Sequence, residues 1–159
     1  MAADVCLLSL PVANVMEIRE GQTNRAASAM LTLRPRWQTA DALVEFIDTD
    51  LRPRGYRLAG VVDGDSDSAM SVIGFREQWS TAWGHYLYVD DLSTTIDTRG
   101  RGHADMLMRW VIAEARRVNC EAIHLDSGVG EERAAAHRLY MRNHFQITSH
   151  HFARTIRSG

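Results

Sequence analysis

The sequence predicts a mixed α/β (α+β) domain built on a mostly antiparallel sheet, and three observations predict it. Three strand-like runs, "YRLAGVV", "AMSVIGF" and "WGHYLYVDDLSTT", follow one another from Tyr56 with only short polar or glycine-containing connections, the pattern of an antiparallel meander. Helical periodicity lies on both sides of that meander along the chain. A chain of 159 residues with 45% apolar composition has the size of one domain with one core. The expected order is β-α-α-β-β-β-α-β-α-β in a single domain spanning residues 1–159.

Each element has a local reason. Residues 5–10, "VCLLSL", form a short apolar run ending before Pro11 and read as the first strand. From Val15 to Leu33 apolar residues recur at mixed helical spacing, which reads as a helical stretch, until Pro35 breaks the run. Thr39 is an N-cap residue, with Asp41 in the first turn and Ala42, Leu43, Phe46 and Ile47 as the apolar stripe of a second helix that Pro53 and Gly55 end. After the meander, Ala104, Leu107, Met108, Val111, Ala115 and Val118 mark one face of a third helix, and Arg116 and Arg117 suit its C-terminal dipole. "EAIHLDSG" is a compact strand, "EERAAAHRLYMRN" a last helix and "FQITSHHFARTI" a closing strand.

Composition excludes several function classes. The formal charge of −2 gives no global pull toward nucleic acid or an anionic membrane. All 18 basic residues are arginine, so a Walker A phosphate loop and lysine Schiff-base chemistry are both excluded. Cys6 and Cys120 match no zinc or redox spacing, and the histidines, including the adjacent His150 and His151, imply no metal site. "DGDSDS" from Asp63 lacks the glycine and glutamate of a calcium loop and reads as a hairpin turn. The N-terminus has neither a basic leader nor a run long enough to span a bilayer, so a soluble cytoplasmic protein is expected.

The stretch that carries chemistry is "TTIDTRGRGHADMLMRWV", in which Gly100 and Gly102 alternate with Arg99 and Arg101 immediately before a helix. Unpaired N–H groups and the positive dipole end at a helix start suit an anion, and glycines allow it to come close. A dinucleotide-binding turn is a poor rival, because Asp105 stands where the third glycine belongs. Downstream, "AAAHRLYMRNHF" sets Tyr140 on the last helix.

Together these motifs resemble the GNAT superfamily of acyl-coenzyme-A-dependent N-acyltransferases, over roughly residues 56–154. The family's Arg/Gln-x-x-Gly-x-Gly/Ala turn is similar to Arg99-Gly100-Arg101-Gly102-His103-Ala104, which the resemblance makes the pyrophosphate cradle of coenzyme A. It also implies helices on both faces of the sheet, a splayed strand ending at Thr94, and Leu92, Ser93 and Thr94 along the pantetheine arm. A main-chain N–H in that stretch would polarise the thioester carbonyl. By the same resemblance Tyr140 is the general acid toward the leaving thiolate. Two departures stand out: His144 occupies a usual glycine position, and Arg133 occupies a common asparagine position, where it would contact coenzyme A.

A protonated amine must lose a proton before it attacks a thioester. Asp90 and Asp91, just before Leu92, resemble an acidic pair in polyamine-acetylating relatives, and are assigned as general base or cation-binding carboxylate, Asp90 first and Asp91 second. Alternation sends them to opposite faces unless a bulge intervenes. The alternative for either one is a simple pair with an arginine. Asp126 and Ser127 are placed equally well to face a ligand crevice or to cap the next turn. Trp79 and Trp83 read as pocket walls or sheet-edge cover, with burial expected for at least one. Cys120 reads as a core residue rather than an acyl carrier.

The resemblance thus implies an N-acetyltransferase using acetyl-CoA as co-substrate without a metal, acting by direct transfer on a small cationic primary amine such as a polyamine or an aminoglycoside-like molecule. No nucleic-acid or membrane partner is expected, and a homodimer is compatible with what is common among similar proteins. Acetylation of a protein lysine or N-terminus, and a non-catalytic coenzyme-A-binding module, are the alternatives.

Overall fold

The structure, a computed structural model, describes residues 13–64 and 66–156. Five strands in the order β1-β2-β3-β4-β5 form one sheet among the described residues. They are β1 (Asn14–Ile18), β2 (Tyr56–Val62), β3 (Ser71–Ser80), β4 (Gly84–Thr94) and β5 (Ala122–Leu125). The first four pair antiparallel and β5 joins β4 in parallel. The helices are α1 (Ala27–Leu33), α2 (Ala40–Phe46), α3 (His103–Arg117) and α4 (Ala134–Arg142).

Burial on both faces of the central strand β2 explains why "LAGVV", residues 58–62, is continuously apolar rather than alternating. One face of the sheet packs Leu58, Val62 and Val72 against Ala29 and Met30 of α1 and Leu43 of α2. The other packs Ala59, Val61, Ile73, Phe75 and Leu87 against Leu107, Met108 and Val111 of α3 and Leu139 of α4. Helices therefore cover both faces. Thr39 caps α2 as its sequence predicts, its hydroxyl accepting the Ala42 N–H at 3.3 Å.

The structure corrects two elements. The stretch 15–33 is not one helix: Asn14–Ile18 is a strand paired with β2, and α1 starts only at Ala27. Gly21, with φ at +77°, turns the chain between them, and the β-branched Val15 and Ile18 suit the ladder. The closing "FQITSHHFARTI" forms no strand among the described residues. Ile147, Phe152 and Ile156 are all exposed. The odd spacing between Ile147 and Phe152 puts them on opposite faces of any strand, so the segment offers no single apolar face to bury. The strand expected over residues 5–10 lies outside the described residues. No helix of the described residues is long and apolar enough to cross a membrane.

One ionic cluster locks α3 onto the sheet. Glu114, buried on the sheet-facing side of α3, accepts from Arg117 at 2.7 Å and pairs with Arg57 of β2 at 2.7 Å. Arg57 also pairs with Glu17 of β1 at 2.8 Å and lies over the Phe75 ring. The hydrogen bond from Arg117, reinforced by Arg57, holds the Glu114 carboxyl down at about 2 against an ordinary 4.5. A carboxylate with a depressed folded-state pKa stabilises above its unfolded value, and that contribution disappears as pH falls toward the folded value. Glu114→Gln is therefore expected to cost about 1.5–3 kcal/mol at neutral pH, the range for hydrogen bonds to charged groups. Thermal melts of the variant and the wild type should converge as pH drops from about 4.5 to about 2.

Candidate active site

Across the β3–β4 ladder Gly74 faces Asp91 and Phe75 faces Val89, so Asp90 is an extra residue on β4, a β-bulge. The bulge turns Asp90 so that, despite being adjacent, Asp90 and Asp91 line the same cavity of about 260 Å³. β5 pairs with β4 only from Tyr86 to Val89. Over residues 90–94 β4 is bonded to β3 alone, and the edge that faces β5 further back is open. The cavity occupies this parting of the strands, closed by Arg34, Asp126, Ser127, Arg133 and Tyr140.

Both carboxylates are held by arginine. Arg76 of β3 grips Asp90 with two hydrogen bonds, at 2.8 and 2.5 Å. Burial raises the Asp90 carboxyl above the ordinary carboxylate range, against the opposing pull of Arg76. Asp91, only 8% exposed, accepts from Arg34 at the end of α1 at 2.8 Å and from the Tyr56 hydroxyl at 2.7 Å. Tyr56 is itself buried, and both burial and the Asp91 charge push its hydroxyl well above the usual phenol range. A Cβ on Gly74 would come within 1.8 Å of that hydroxyl, so the bare glycine is what lets Tyr56 cross β3 to reach Asp91.

Tyr140 stands on α4 with 8% exposure and packs near Phe145. Burial raises its hydroxyl above the ordinary phenol value, and Arg133 opposes that shift. Arg133 also reaches toward the Ser127 hydroxyl at 3.4 Å. Asp126 accepts from Tyr88 and lies 3.1 Å from His151.

At the start of α3, Gly100 and Gly102 have φ of +77° and +82°, values that favour glycine. A Cβ at either would meet no described atom within 4 Å, so the turn opens outward. The first bond of the helix runs from the Met106 N–H to the Gly102 carbonyl at 3.1 Å, which leaves the preceding N–H groups of the helix start pointing out, with no capping side chain. Asp105 in this first turn is gripped by Arg142 and by Asn143, the latter at 3.0 Å. The glycine turn is thereby tied to the end of α4, the helix of Tyr140.

A family model described as the acetyltransferase (GNAT) family matches residues 23–145. The chain belongs to that family. Among solved GNAT structures it is similar to an aminoglycoside N-acetyltransferase, AAC(6')-Iy, in complex with CoA, at 12% identity and a TM-score of 0.75 over 93% of this chain and 97% of that one. It is also similar to a ribosomal-protein-alanine N-acetyltransferase from Brucella melitensis biovar Abortus 2308, at 17% identity and a TM-score of 0.72 over 93% and 100% of the two chains. At such identities the likeness concerns the fold. A comparison with curated proteins found no match.

Measured against the sequence expectations, the GNAT fold gathers Asp90, Asp91, Leu92, Arg133 and Tyr140 around one cavity. Ser93 and Thr94 have their hydroxyls turned into the structure, Ser93 donating to the Ala29 carbonyl at 2.6 Å and Thr94 sharing a 2.8 Å contact with Ser71, so only their main chain remains for a ligand. Arg99 to Ala104 form the open turn, although the His103 ring is buried and its Nδ1 lacks a partner among the described residues. Asp126 and Ser127 join the cavity. Trp79 and Trp83 do not: both are exposed, against the expectation that at least one is buried, and each has one face stacked on a histidine, Trp79 on His85 and Trp83 on His124.

Arg34, Tyr56 and Arg76 are the site residues that sequence reasoning missed. Gly74 inside a strand was the available signal, since an interior strand glycine often marks a close approach. Gly74→Ala is expected to displace Tyr56, lower the melting temperature and leave Asp91 short of a donor. Tyr56→Phe, which removes one hydrogen bond but keeps the ring, should cost about 1–3 kcal/mol in the same melts.

Proposed function

We propose that this GNAT protein transfers an acetyl group from acetyl-CoA to the primary amine of a small cationic metabolite or antibiotic, by direct attack within a ternary complex. The observation that carries this reading is the single cavity in which Asp90, Asp91, Asp126 and Tyr140 converge beside the open edge of β4. Three carboxylates against the two arginines Arg34 and Arg133 leave the lining net negative, which favours a cation at that point, and a volume of about 260 Å³ suits an amine-bearing segment rather than a folded chain. The residues present fit coenzyme A: the glycine turn leaves space for a phosphate, and its outward N–H groups are anion donors.

Acetyl-CoA supplies an acetyl group activated as a thioester. Arg99, Gly100, Arg101, Gly102, His103 and Ala104 hold its pyrophosphate, mainly through main-chain N–H groups. Leu92, Ser93 and Thr94 line its pantetheine arm with their backbone, and Arg133 adds charge. Asp90 accepts a proton from the bound ammonium, with its carboxyl raised by burial and so a better base than an exposed aspartate. Asp91, anchored by Tyr56 and Arg34, completes the negative field. The freed amine nitrogen forms the amide bond as the carbon–sulfur bond breaks, and Tyr140 gives its hydroxyl proton to the departing thiolate. A phenol raised by burial keeps that proton at neutral pH.

Release of coenzyme A thiol, followed with a panel of polyamines, aminoglycosides and lysine peptides, tests the reading. Small polycations are expected to be turned over, and failure of every amine despite tight binding of coenzyme A would overturn it. Tyr140→Phe should lower kcat by about 10²-fold or more at neutral and alkaline pH. Asp90 protonates as pH falls, so activity should drop on the acid side. Arg76→Gln removes the opposing cation and should move that acid limb upward in pH, a shift visible in the kcat/KM profile. Gly102→Val, strained at its positive φ and filling the open turn, should raise the KM for acetyl-CoA by about tenfold, near 1.4 kcal/mol, with a smaller effect on the amine KM.

A further inference from the structure

At the hairpin end of β3 and β4, remote from the cavity, three side chains from three elements bring their donor atoms together. Glu77 comes from β3, His85 from the start of β4 and Cys120 from the connection between α3 and β5. Glu77 Oε1 lies 2.6 Å from His85 Nε2, and Cys120 Sγ lies 3.4 Å from the same nitrogen. The three donor atoms all fall within 4.8 Å of one another. None of these residues serves the proposed transfer, since an extended strand puts His85 roughly 17 Å along β4 from Asp90 at about 3.4 Å per residue.

Three ligand atoms share one small space here, and a single Nε2 proton can serve only one of its two neighbours at a time. A neutral imidazole nitrogen either carries a proton or accepts one. With a proton, Nε2 donates to Glu77 and leaves the thiol without an acceptor there. Without one, it accepts from the thiol while its lone pair faces a carboxylate oxygen at 2.6 Å. A cation among the three ligand atoms would engage all of them at once. We propose that Glu77, His85 and Cys120 form a binding site for a divalent transition-metal ion of the zinc class, with water as the fourth ligand.

Thiolate, imidazole and carboxylate are the protein ligands zinc takes, whereas magnesium and calcium prefer oxygen alone. Tetrahedral geometry with Zn–N and Zn–S bonds of ordinary length sets sulfur and nitrogen about 3.5 Å apart, against 3.4 Å here. The nitrogen-to-oxygen separation must open from 2.6 Å to about 3.4 Å, a small side-chain adjustment for the partly exposed Glu77. The plane of the imidazole is already fixed, because Trp79 stacks on it at 4.5 Å and 3°. On binding, a metal–sulfur bond replaces the S–H bond, the proton passes to solvent and nothing is oxidised. The ion then cross-links the β3–β4 hairpin to the α3–β5 connection.

The full chain, stripped with EDTA and desalted, is titrated with Co²⁺ and then Zn²⁺. Expected are a thiolate-to-cobalt charge-transfer band that saturates at one ion per chain, displacement of the band by zinc, and a zinc-dependent rise in melting temperature that EDTA reverses. Cys120→Ser abolishes the band, Glu77→Gln weakens binding by more than about tenfold, a loss that outer-shell changes alone can reach, and Cys6→Ser leaves both unchanged. Absence of the band in the wild type overturns the proposal whether or not the variants fold. So does a band that survives Cys120→Ser, or an equal zinc-dependent melting shift in that variant.

Discussion

Asp90 is the residue by which β4 exceeds β3 across their ladder, and the geometry of the cavity follows from that single insertion. In a regular strand, consecutive side chains diverge to opposite faces. The bulge lets two consecutive carboxylates address one space, next to the point where β5 parts from β4. The parting and the bulge lie side by side, and a strand bonded on both edges there would have no free edge for a ligand. Gly74 and Tyr56 complete the constraint, since the glycine opposite Asp91 gives the tyrosine its passage to the carboxylate.

Arginine does the electrostatic work throughout. Arg76 on Asp90, Arg34 on Asp91, Arg57 and Arg117 on Glu114, and Arg142 on Asp105 each join elements that are distant in sequence or adjacent turns of one helix. A planar guanidinium engages both carboxylate oxygens and keeps its charge at any working pH, which an ammonium on a flexible stem does less well. The lysine-free composition, uninformative about function when read alone, thus becomes a statement about rigidity: acidic groups in this fold are clamped in fixed directions.

What was legible in the sequence was local. The glycine turn before α3, the meander from Tyr56, the Thr39 cap and the tyrosine of α4 are each written in a few neighbouring residues, and each stands where it was expected. The split of residues 15–33 into a strand and a helix was hidden, because Val15 and Ile18 stand at helical spacing and only the pairing with β2 makes their segment a strand. The closing segment misled in the opposite direction, its β-branched residues suggesting a strand that its unaligned apolar positions do not support. The partners of the two aspartates were out of reach, because Arg34, Tyr56 and Arg76 come from three elements and only the register assembles them. The Glu77, His85 and Cys120 group was invisible for the same reason: no spacing rule relates a β-hairpin to a helix-to-strand connection.

Trp79 and Trp83, both exposed where burial of at least one was expected, lie flat on imidazoles, Trp79 on His85 and Trp83 on His124 at centroid distances of 4.5 and 3.9 Å. The other two indoles have aromatic hydrocarbon neighbours instead, Trp37 against Phe46 and Trp110 against Phe75. The two exposed indoles therefore act as plates that set the planes of two imidazoles, whereas the other two fill space beside phenyl rings.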